Sequence, residues 1–301
     1  MSPRDFYATQ LRRIPAHASR TRADGVATAF WNYGQKTGPI DIVMVHGFRG
    51  DHHGLEPFVA MLGESFRIVI PDLPGFGDSE ELTTNTDDSA RIDGYARWLR
   101  EFLDTVGADS STTVLGHSFG SIVVAAAFAQ GLTQKRCVLV NPIAANALSG
   151  PRGLLTRLAV WYYKVSAWLP ERLGHSLLRN RAIVRVMSST MAKTKDRDLR
   201  RWIHGQHDAY FSSFASRDSV LNAFQASVAH DVTEFVDSLP RGTLLIVAER
   251  DDITALPEQR TLATRIPHSQ LVIVPGVGHL VHYEAPEIAA AAISSYIGSA
   301  K

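Results

Sequence analysis

An α/β fold is what this sequence predicts: a mostly parallel, eight-stranded sheet flanked by helices, with a helical lid inserted in its second half. Three observations carry the prediction. Short apolar runs alternate with longer helical patterns, as they do when crossover helices bury a parallel sheet on both faces. A glycine-flanked serine stands between one such strand and one such helix. The alternation then fails between about residues 143 and 229, where no strand-like run is bounded by turn signals and the pattern is helical throughout.

Taken in order, residues up to about Tyr33 are expected to form an antiparallel hairpin at the sheet edge. Its turn is Asp24-Gly25, a pair suited to the positive φ of a two-residue hairpin loop. Strands are expected at 40–45, 67–70, 112–115, 136–140, 243–247 and 270–274, each an apolar run closed by polar or turn-forming residues. Helices are expected near 55–63, 93–105, 118–131, 257–264 and 285–297. The core therefore comprises 1–142 and 230–301, and the lid 143–229. The alanines at 289–292 suit close helix packing, and Asp87-Asp88 and Asp109 suit helix-boundary caps.

Composition excludes several classes. With 301 residues, 45% hydrophobic and 20% charged, the chain can bury a large core, either as one domain with an insertion or as two small domains. A net charge of +1 argues against nucleic acid as an overall partner. The single Cys137 lies in the run Cys137-Val138-Leu139-Val140 and reads as a buried structural thiol, so no intrachain disulfide is expected. Met1-Ser2-Pro3-Arg4-Asp5-Phe6 lacks the apolar segment of a secretion signal, and no stretch has the length of a membrane span, so a cytoplasmic location is expected.

The chemistry centres on Gly116-His117-Ser118-Phe119-Gly120, which reads as a nucleophile elbow. A serine at the tip of a tight strand-to-helix turn presents its hydroxyl to substrate, and the flanking glycines remove side chains that would clash. Functional groups of open α/β sheets gather at the carboxyl ends of the strands. Three candidates follow from that rule: Ser118, Asp251 in Glu249-Arg250-Asp251-Asp252, and His279 in Gly276-Val277-Gly278-His279. An alcohol is barely ionised at neutral pH, so Ser118 needs His279 as base and a carboxylate to orient that imidazole. Asp251 or the adjacent Asp252 would supply that carboxylate. The Phe119 N–H, at a helix N-terminus, would stabilise the negative charge that develops on an attacked carbonyl.

The order Ser, Asp, His, together with His46-Gly47-Phe48 and Asp72-Leu73-Pro74-Gly75-Phe76-Gly77-Asp78-Ser79 after the first two parallel strands, resembles the lidded α/β-hydrolase family from about Val43 to Ile297. The resemblance implies a second oxyanion donor at the Phe48 N–H. It also favours Asp251, because the family places its acid three residues after a small residue, here Ala248 in the usual place of glycine. Some members put the acid at the end of the preceding strand, but that position is Asn141, which carries no charge. No metal or cofactor is implied. Asp51, His52 and His53 read as a solvated loop rather than a ligand set, His117 as a packing residue, and Asp72, Asp78 and Ser79 as organisers of their loop.

Substrate information should lie in the lid. Residues 150–201 carry twelve Lys and Arg against three Asp and Glu, a net +9, which leaves −8 for the rest of the chain. Among the large apolar groups there, Trp161, Tyr162 and Trp168 are expected to bind substrate. The cationic character has three readings: a solvated outer face over an apolar pocket, peripheral contact with an anionic membrane, or attraction of an acidic substrate. The reading as a whole is a serine hydrolase acting on a small-molecule carboxylic ester, with a medium-to-long acyl or aromatic group, through an acyl-enzyme. The alternatives on the same fold are a thioesterase, a carbon–carbon bond hydrolase and a cofactor-free haloperoxidase or perhydrolase, with a non-catalytic ligand receptor more remote.

Overall fold

The computed structural model describes residues 3–35, 37–82, 88–145 and 153–298. Its sheet contains β1 (Ala16–Ala23), β2 (Val26–Tyr33), β3 (Ile42–Val45), β4 (Ile68–Pro71), β5 (Thr113–His117), β6 (Arg136–Val140), β7 (Leu244–Ala248) and β8 (Gln270–Val274). The spatial order is β1-β2-β4-β3-β5-β6-β7-β8. Strands β3 to β8 run parallel, while β2 pairs antiparallel with both β1 and β4. The hairpin turns at Asp24 and Gly25, with φ of 46° and 76°, the geometry that a two-residue turn between twisted strands demands.

The helices are α1 (Pro3–Leu11), α2 (Glu56–Leu62), α3 (Asp88–Val106), α4 (Phe119–Ala129), α5 (Gly153–Trp168), α6 (Glu171–Leu178), α7 (Arg181–Met191), α8 (Arg197–Tyr210), α9 (Arg217–Ala229), α10 (Leu256–Arg265), α11 (Val281–Glu284) and α12 (Pro286–Gly298). Helix α1 departs from the expected hairpin-only N-terminus. It is held by long-range partners: Tyr7 stacks on Trp202 at 4.9 Å, and its hydroxyl donates to Glu287 at 3.1 Å. No described helix is long and apolar enough to cross a membrane.

Alternate residues of each central strand enter two cores. Val43, Val45, Val114, Cys137, Leu139, Leu245 and Val247 pack with α3 and α4, while Ile42, Met44, Leu115, Val138, Val140, Leu244 and Ile246 pack with α2 and α12. Helix α4 is buried along almost its whole length, which is why its sequence is apolar on every face.

Two features of this layout position the functional residues. The chain lays down β3, places β4 on one side of it, then crosses to place β5 on the other, so the loops after β3 and β5 meet at the switch point. Between β6 and β7, the described residues from Gly153 to Ala229 are dominated by α5 to α9. This helical insertion is stitched to the loop after β4 by Gly77 N–H on Ser213 O at 2.9 Å and Ala215 N–H on Gly75 O at 3.0 Å.

The approach of α4 to β3 is close enough to test. A Cβ on Gly120 would lie 2.4 Å from Val45 O and 2.6 Å from His46 O, both rigid backbone atoms. Gly120→Ala is therefore expected to cost about 1–3 kcal/mol through overpacking, read as a lowered denaturant midpoint with an unchanged m-value.

Candidate active site

Ser118 caps α4 with φ +53° and ψ −119°, a strained conformation for a residue bearing a Cβ. Its neighbours impose that geometry. A Cβ on Gly116 would lie 2.5 Å from Gly120 O, and one on Gly47 would lie 3.2 Å from Ser118 Cβ. The Ser118 N–H donates to Val140 O at 3.1 Å, tying the elbow to the end of β6.

The polar residues singled out at the ends of β5, β7 and β8 converge. His279 Nε2 is 2.8 Å from Ser118 Oγ, and His279 Nδ1 is 2.8 Å from Asp251 Oδ2. The carboxylate can only accept, so Nδ1 carries the proton and Nε2 presents its lone pair to the serine hydroxyl. The second Asp251 oxygen accepts the N–H groups of Ile253 at 2.7 Å and Thr254 at 3.3 Å, which sets the carboxylate plane. Asp252 turns away to an ion pair with Lys193. Between the two adjacent aspartates, Asp251 is the one on the imidazole.

Asn141 takes a part the sequence did not suggest. Buried at the end of β6 with φ +43°, it donates to His279 O at 2.6 Å and accepts the Ala248 N–H at 2.8 Å. It thus joins the His279 loop to the end of β7. An amide does this where a carboxylate would not, because the bridge needs a donor at one end and an acceptor at the other.

The loop after β3 lies against the elbow. His46 Nε2 accepts the Leu73 N–H at 2.8 Å, so Nδ1–H donates to Gly47 O at 2.9 Å. Burial holds this imidazole below its ordinary pKa, which suits a neutral ring with one donor and one acceptor. The Gly50 N–H also reaches Gly47 O, at 3.1 Å, closing the turn that carries Phe48. Phe119 is the first residue of α4, where an N–H has no partner within the helix.

Arg49 follows Phe48 with φ +63° and is completely buried. No carboxylate lies within ion-pair distance of it among the described residues. Its guanidinium instead donates to Leu178 O at the end of α6, to Phe211 O at the end of α8 (3.3 Å) and to the Tyr163 hydroxyl (3.3 Å), and it lies over the rings of Phe211 and Phe214 at 5.2 and 5.6 Å. Helix C-termini carry partial negative charge, so two of them stand in for a counter-ion. Arg49 thereby fastens the insertion to the loop after β3.

A second fastening lies beside the base. Glu284 Oε2 accepts the Gly278 N–H at 2.7 Å, and Oε1 accepts the N–H groups of Lys193, at 2.6 Å, and Thr194. One carboxylate therefore joins the His279 loop to the α7–α8 connection. Neither Arg49 nor Glu284 stands out in the sequence, since each acts on backbone carbonyls or amides contributed by distant segments.

Ser118 opens onto a cavity of about 160 Å³. Phe48, Leu55, Met187, Met191, Tyr210 and Phe211 supply apolar wall, and His117, His207 and His282 line it as well. Burial pushes His117 and His207 down to about 3, with the neighbouring His279 and His204 acting in the same direction, and burial drives His282 well below its ordinary value too. The rings of His117, His207 and His282 are therefore neutral near pH 7. Ser188 Oγ lies 2.6 Å from His204 Nδ1 and 2.7 Å from His207 Nδ1; a single hydroxyl proton can serve only one ring, so the other ring donates.

Two sequence expectations are corrected here. Trp161, Tyr162 and Trp168 do not line the cavity: Trp161 and Trp168 are 66% and 86% exposed, and the Tyr162 hydroxyl donates to Leu177 O at 3.1 Å. The helical period turns α5 so that Tyr163 faces inward, and α7 and α8 furnish the wall instead. Nor is the Asp51-His52-His53 segment a solvated loop. His52 stacks on Trp31 and bonds Asp72 at 2.9 Å, His53 stacks on Tyr210 and bonds Asp51 at 3.1 Å, and Asp51 and His52 are buried. These three residues bring ligand-type atoms within 4.8 Å of one another, but each Nδ1 is engaged by a carboxylate. Asp72 also accepts the Asp78 N–H at 2.9 Å, and Ser79 Oγ donates to Asp72 O at 2.8 Å, so this acid organises its own loop.

Two outcomes are expected. A lysine at position 49 cannot form the three-way planar fork, so Arg49→Lys should lose about 1.5–3 kcal/mol of stability, measured by denaturant unfolding. His207 binds a proton in the unfolded chain near its ordinary value of 6.5 but refuses it when folded until about 3. Its contribution to stability is therefore complete above pH 6.5 and declines as the pH falls through that window toward 3. Thermal unfolding of His207→Gln between pH 7 and 4 should show a shallower decline than that of the parent chain.

Comparison with known proteins agrees with this geometry. The sequence profile described as Alpha/beta hydrolase family matches residues 42–292. A protein named uncharacterized hydrolase YugF, from Bacillus subtilis, is 24% identical over 284 residues, covering 92% of this chain and 97% of its own. Lipase 3 of Moraxella is 23% identical over 251 residues, covering 81% and 73%. The solved structure of a thermophilic esterase from Thermogutta terrifontis superposes with a TM-score of 0.68 at 21% identity, covering 94% of this chain and 98% of that one. With its profile matched across most of the chain and its sheet, elbow and strand-end residues arranged as described, the protein belongs to the alpha/beta hydrolase family.

Proposed function

We propose that the protein is a serine hydrolase that cleaves carboxylic esters through an acyl-enzyme, with Ser118 as nucleophile, His279 as base and Asp251 as its orienting acid. The observation that carries this reading is the continuous chain of two 2.8 Å contacts from Asp251 through His279 to a strained Ser118 that faces a largely apolar cavity. The family membership and the lipase and esterase names among its relatives support the same chemistry.

In this mechanism Ser118 Oγ bonds to the ester carbonyl carbon as its proton passes to His279 Nε2. The carbonyl oxygen takes the negative charge and is met by the N–H groups of Phe48 and Phe119. Collapse of that intermediate breaks the bond to the alcohol oxygen, which leaves with the proton from His279. Water then attacks the acyl group with His279 again as base, releasing the carboxylic acid and restoring Ser118. Asp251 stabilises the imidazolium in both halves and is not itself protonated.

In this reading the insertion serves as a lid, since α7 and α8 contribute Met187, Met191, His207 and Tyr210 to the cavity wall. The cavity volume bears on the acyl group. A pocket of roughly 150 Å³ holds a benzene ring, so a cavity of about 160 Å³ suits an aryl or medium-length acyl group rather than a long chain.

Initial rates on p-nitrophenyl esters from acetyl to lauroyl, and on the benzoate, test the reading. An optimum at medium-length or aryl acyl groups is expected. Ser118→Ala and His279→Ala should each lose on the order of 10³–10⁶ in kcat. Asp251→Asn should lose less than these two but far more than Asp252→Asn. Full ester hydrolysis by Ser118→Ala would refute the mechanism.

A further inference from the structure

The two tryptophans that fail to reach the cavity lie on the opposite side of their helix. Trp161, Lys164 and Trp168 are spaced three and four residues apart along α5, which puts them on one stripe, and all three are exposed. Just beyond the turn, α6 continues the surface with exposed Arg172 and with Leu173, which is 58% exposed. Of the six large hydrophobic side chains most exposed among the described residues, four lie on the insertion: Trp161, Trp168, Leu173 and Val186. An indole at 86% exposure is costly in water unless something covers it.

Charge indicates the class of cover. The segment that bears this stripe, residues 150–201, carries a net +9 in a chain of net +1. Tryptophan interleaved with lysine and arginine on one helical face is the pattern that seats a helix at the headgroup level of a bilayer, with the rings among the upper acyl carbons and the cations on lipid phosphates. Within that segment Arg185, Lys193 and Arg201 are paired with Asp208, Asp252 and Asp198, whereas Lys164 and Arg172 are exposed beside the tryptophans. The inner face of the same helix is occupied: Tyr163 stacks on Phe224 at 3.8 Å and meets Phe48 edge-on at 5.9 Å. The outer stripe is thus separate from the contacts that hold the site.

We propose that the outer face of α5, continued by the start of α6, is a docking surface for an anionic phospholipid bilayer, with Trp161 and Trp168 as anchors and Lys164 and Arg172 as headgroup contacts. Docking would place the helix that packs on Phe48 at the membrane surface, and this inference holds whichever ester is hydrolysed.

The test is co-sedimentation of the full chain with vesicles of phosphatidylcholine alone and of phosphatidylcholine mixed with phosphatidylglycerol, at low and physiological salt. Association with the anionic vesicles is expected, weakening as salt screens it, with little on phosphatidylcholine. Trp161→Ala/Trp168→Ala should reduce that partitioning by at least about tenfold. Its rate on a soluble p-nitrophenyl ester should stay within about twofold of the parent rate, which keeps this test separate from that of the catalytic reading. No association with anionic vesicles at low salt, or undiminished association of the double variant, would overturn the proposal. So would a large loss of soluble-ester activity in that variant, which would return the tryptophans to the pocket. Self-association in solution that the double variant abolishes would assign the face to a second copy instead.

Discussion

The backbone of α4 passes so close to the carboxyl end of β3 that no side chain fits between them, and most of the site's geometry descends from that contact. Gly120 lies against the carbonyls of Val45 and His46, while Gly116 lies against Gly120 itself. Because the helix begins so near the strand, the turn between β5 and α4 has room only for a compressed backbone, and Ser118 takes a positive φ. The same proximity brings the loop after β3 beside the serine, where a Cβ on Gly47 would lie 3.2 Å from Ser118 Cβ. The strained Ser118 and its closeness to the loop after β3 are consequences of a single packing restriction, supported by two buried hydrophobic layers that resist its relaxation.

Around that centre, the polar groups are arranged so that each is held by others that do no chemistry. Asp251 is oriented by two backbone amides, His279 by Asp251 and through its own carbonyl by Asn141, and the Gly278 amide by Glu284. The other imidazoles around the cavity are kept neutral by burial. Positioning by backbone groups and neutral rings leaves few charges near the serine, so the interactions of any charge placed there are little diluted by competing ions.

The helical insertion meets the core at two polar points as well as through packing. Arg49 reaches from the loop after β3 to two helix C-termini, and Glu284, at the end of α11, joins the His279 loop to the amides between α7 and α8. These contacts flank the cavity, which accounts for its walls coming from α7 and α8 while α5 turns an aromatic, cationic face outward.

The sequence by itself determined the sheet, the elbow and the three residues at the strand ends, because those depend on local periodicity and on glycine positions that only one backbone geometry can use. The family resemblance ranks Asp251 above Asp252, and the structure separates them by giving Asp252 to Lys193. Helix α1 was missed because what holds it, the Trp202 ring and the Glu287 carboxylate, lies far along the chain. The burial of His52 and His53, like the outward turn of Trp161 and Trp168, could not be read from composition, since a histidine pair or an aromatic helix stripe looks the same whichever neighbour covers it. Arg49, Asn141 and Glu284 were invisible for a related reason: their partners are backbone groups, which every residue possesses, so no pattern of side chains announces them. Local chemistry is written in the order of residues, whereas the choice of which face is covered and which carbonyl meets which guanidinium arises only when distant segments pack together.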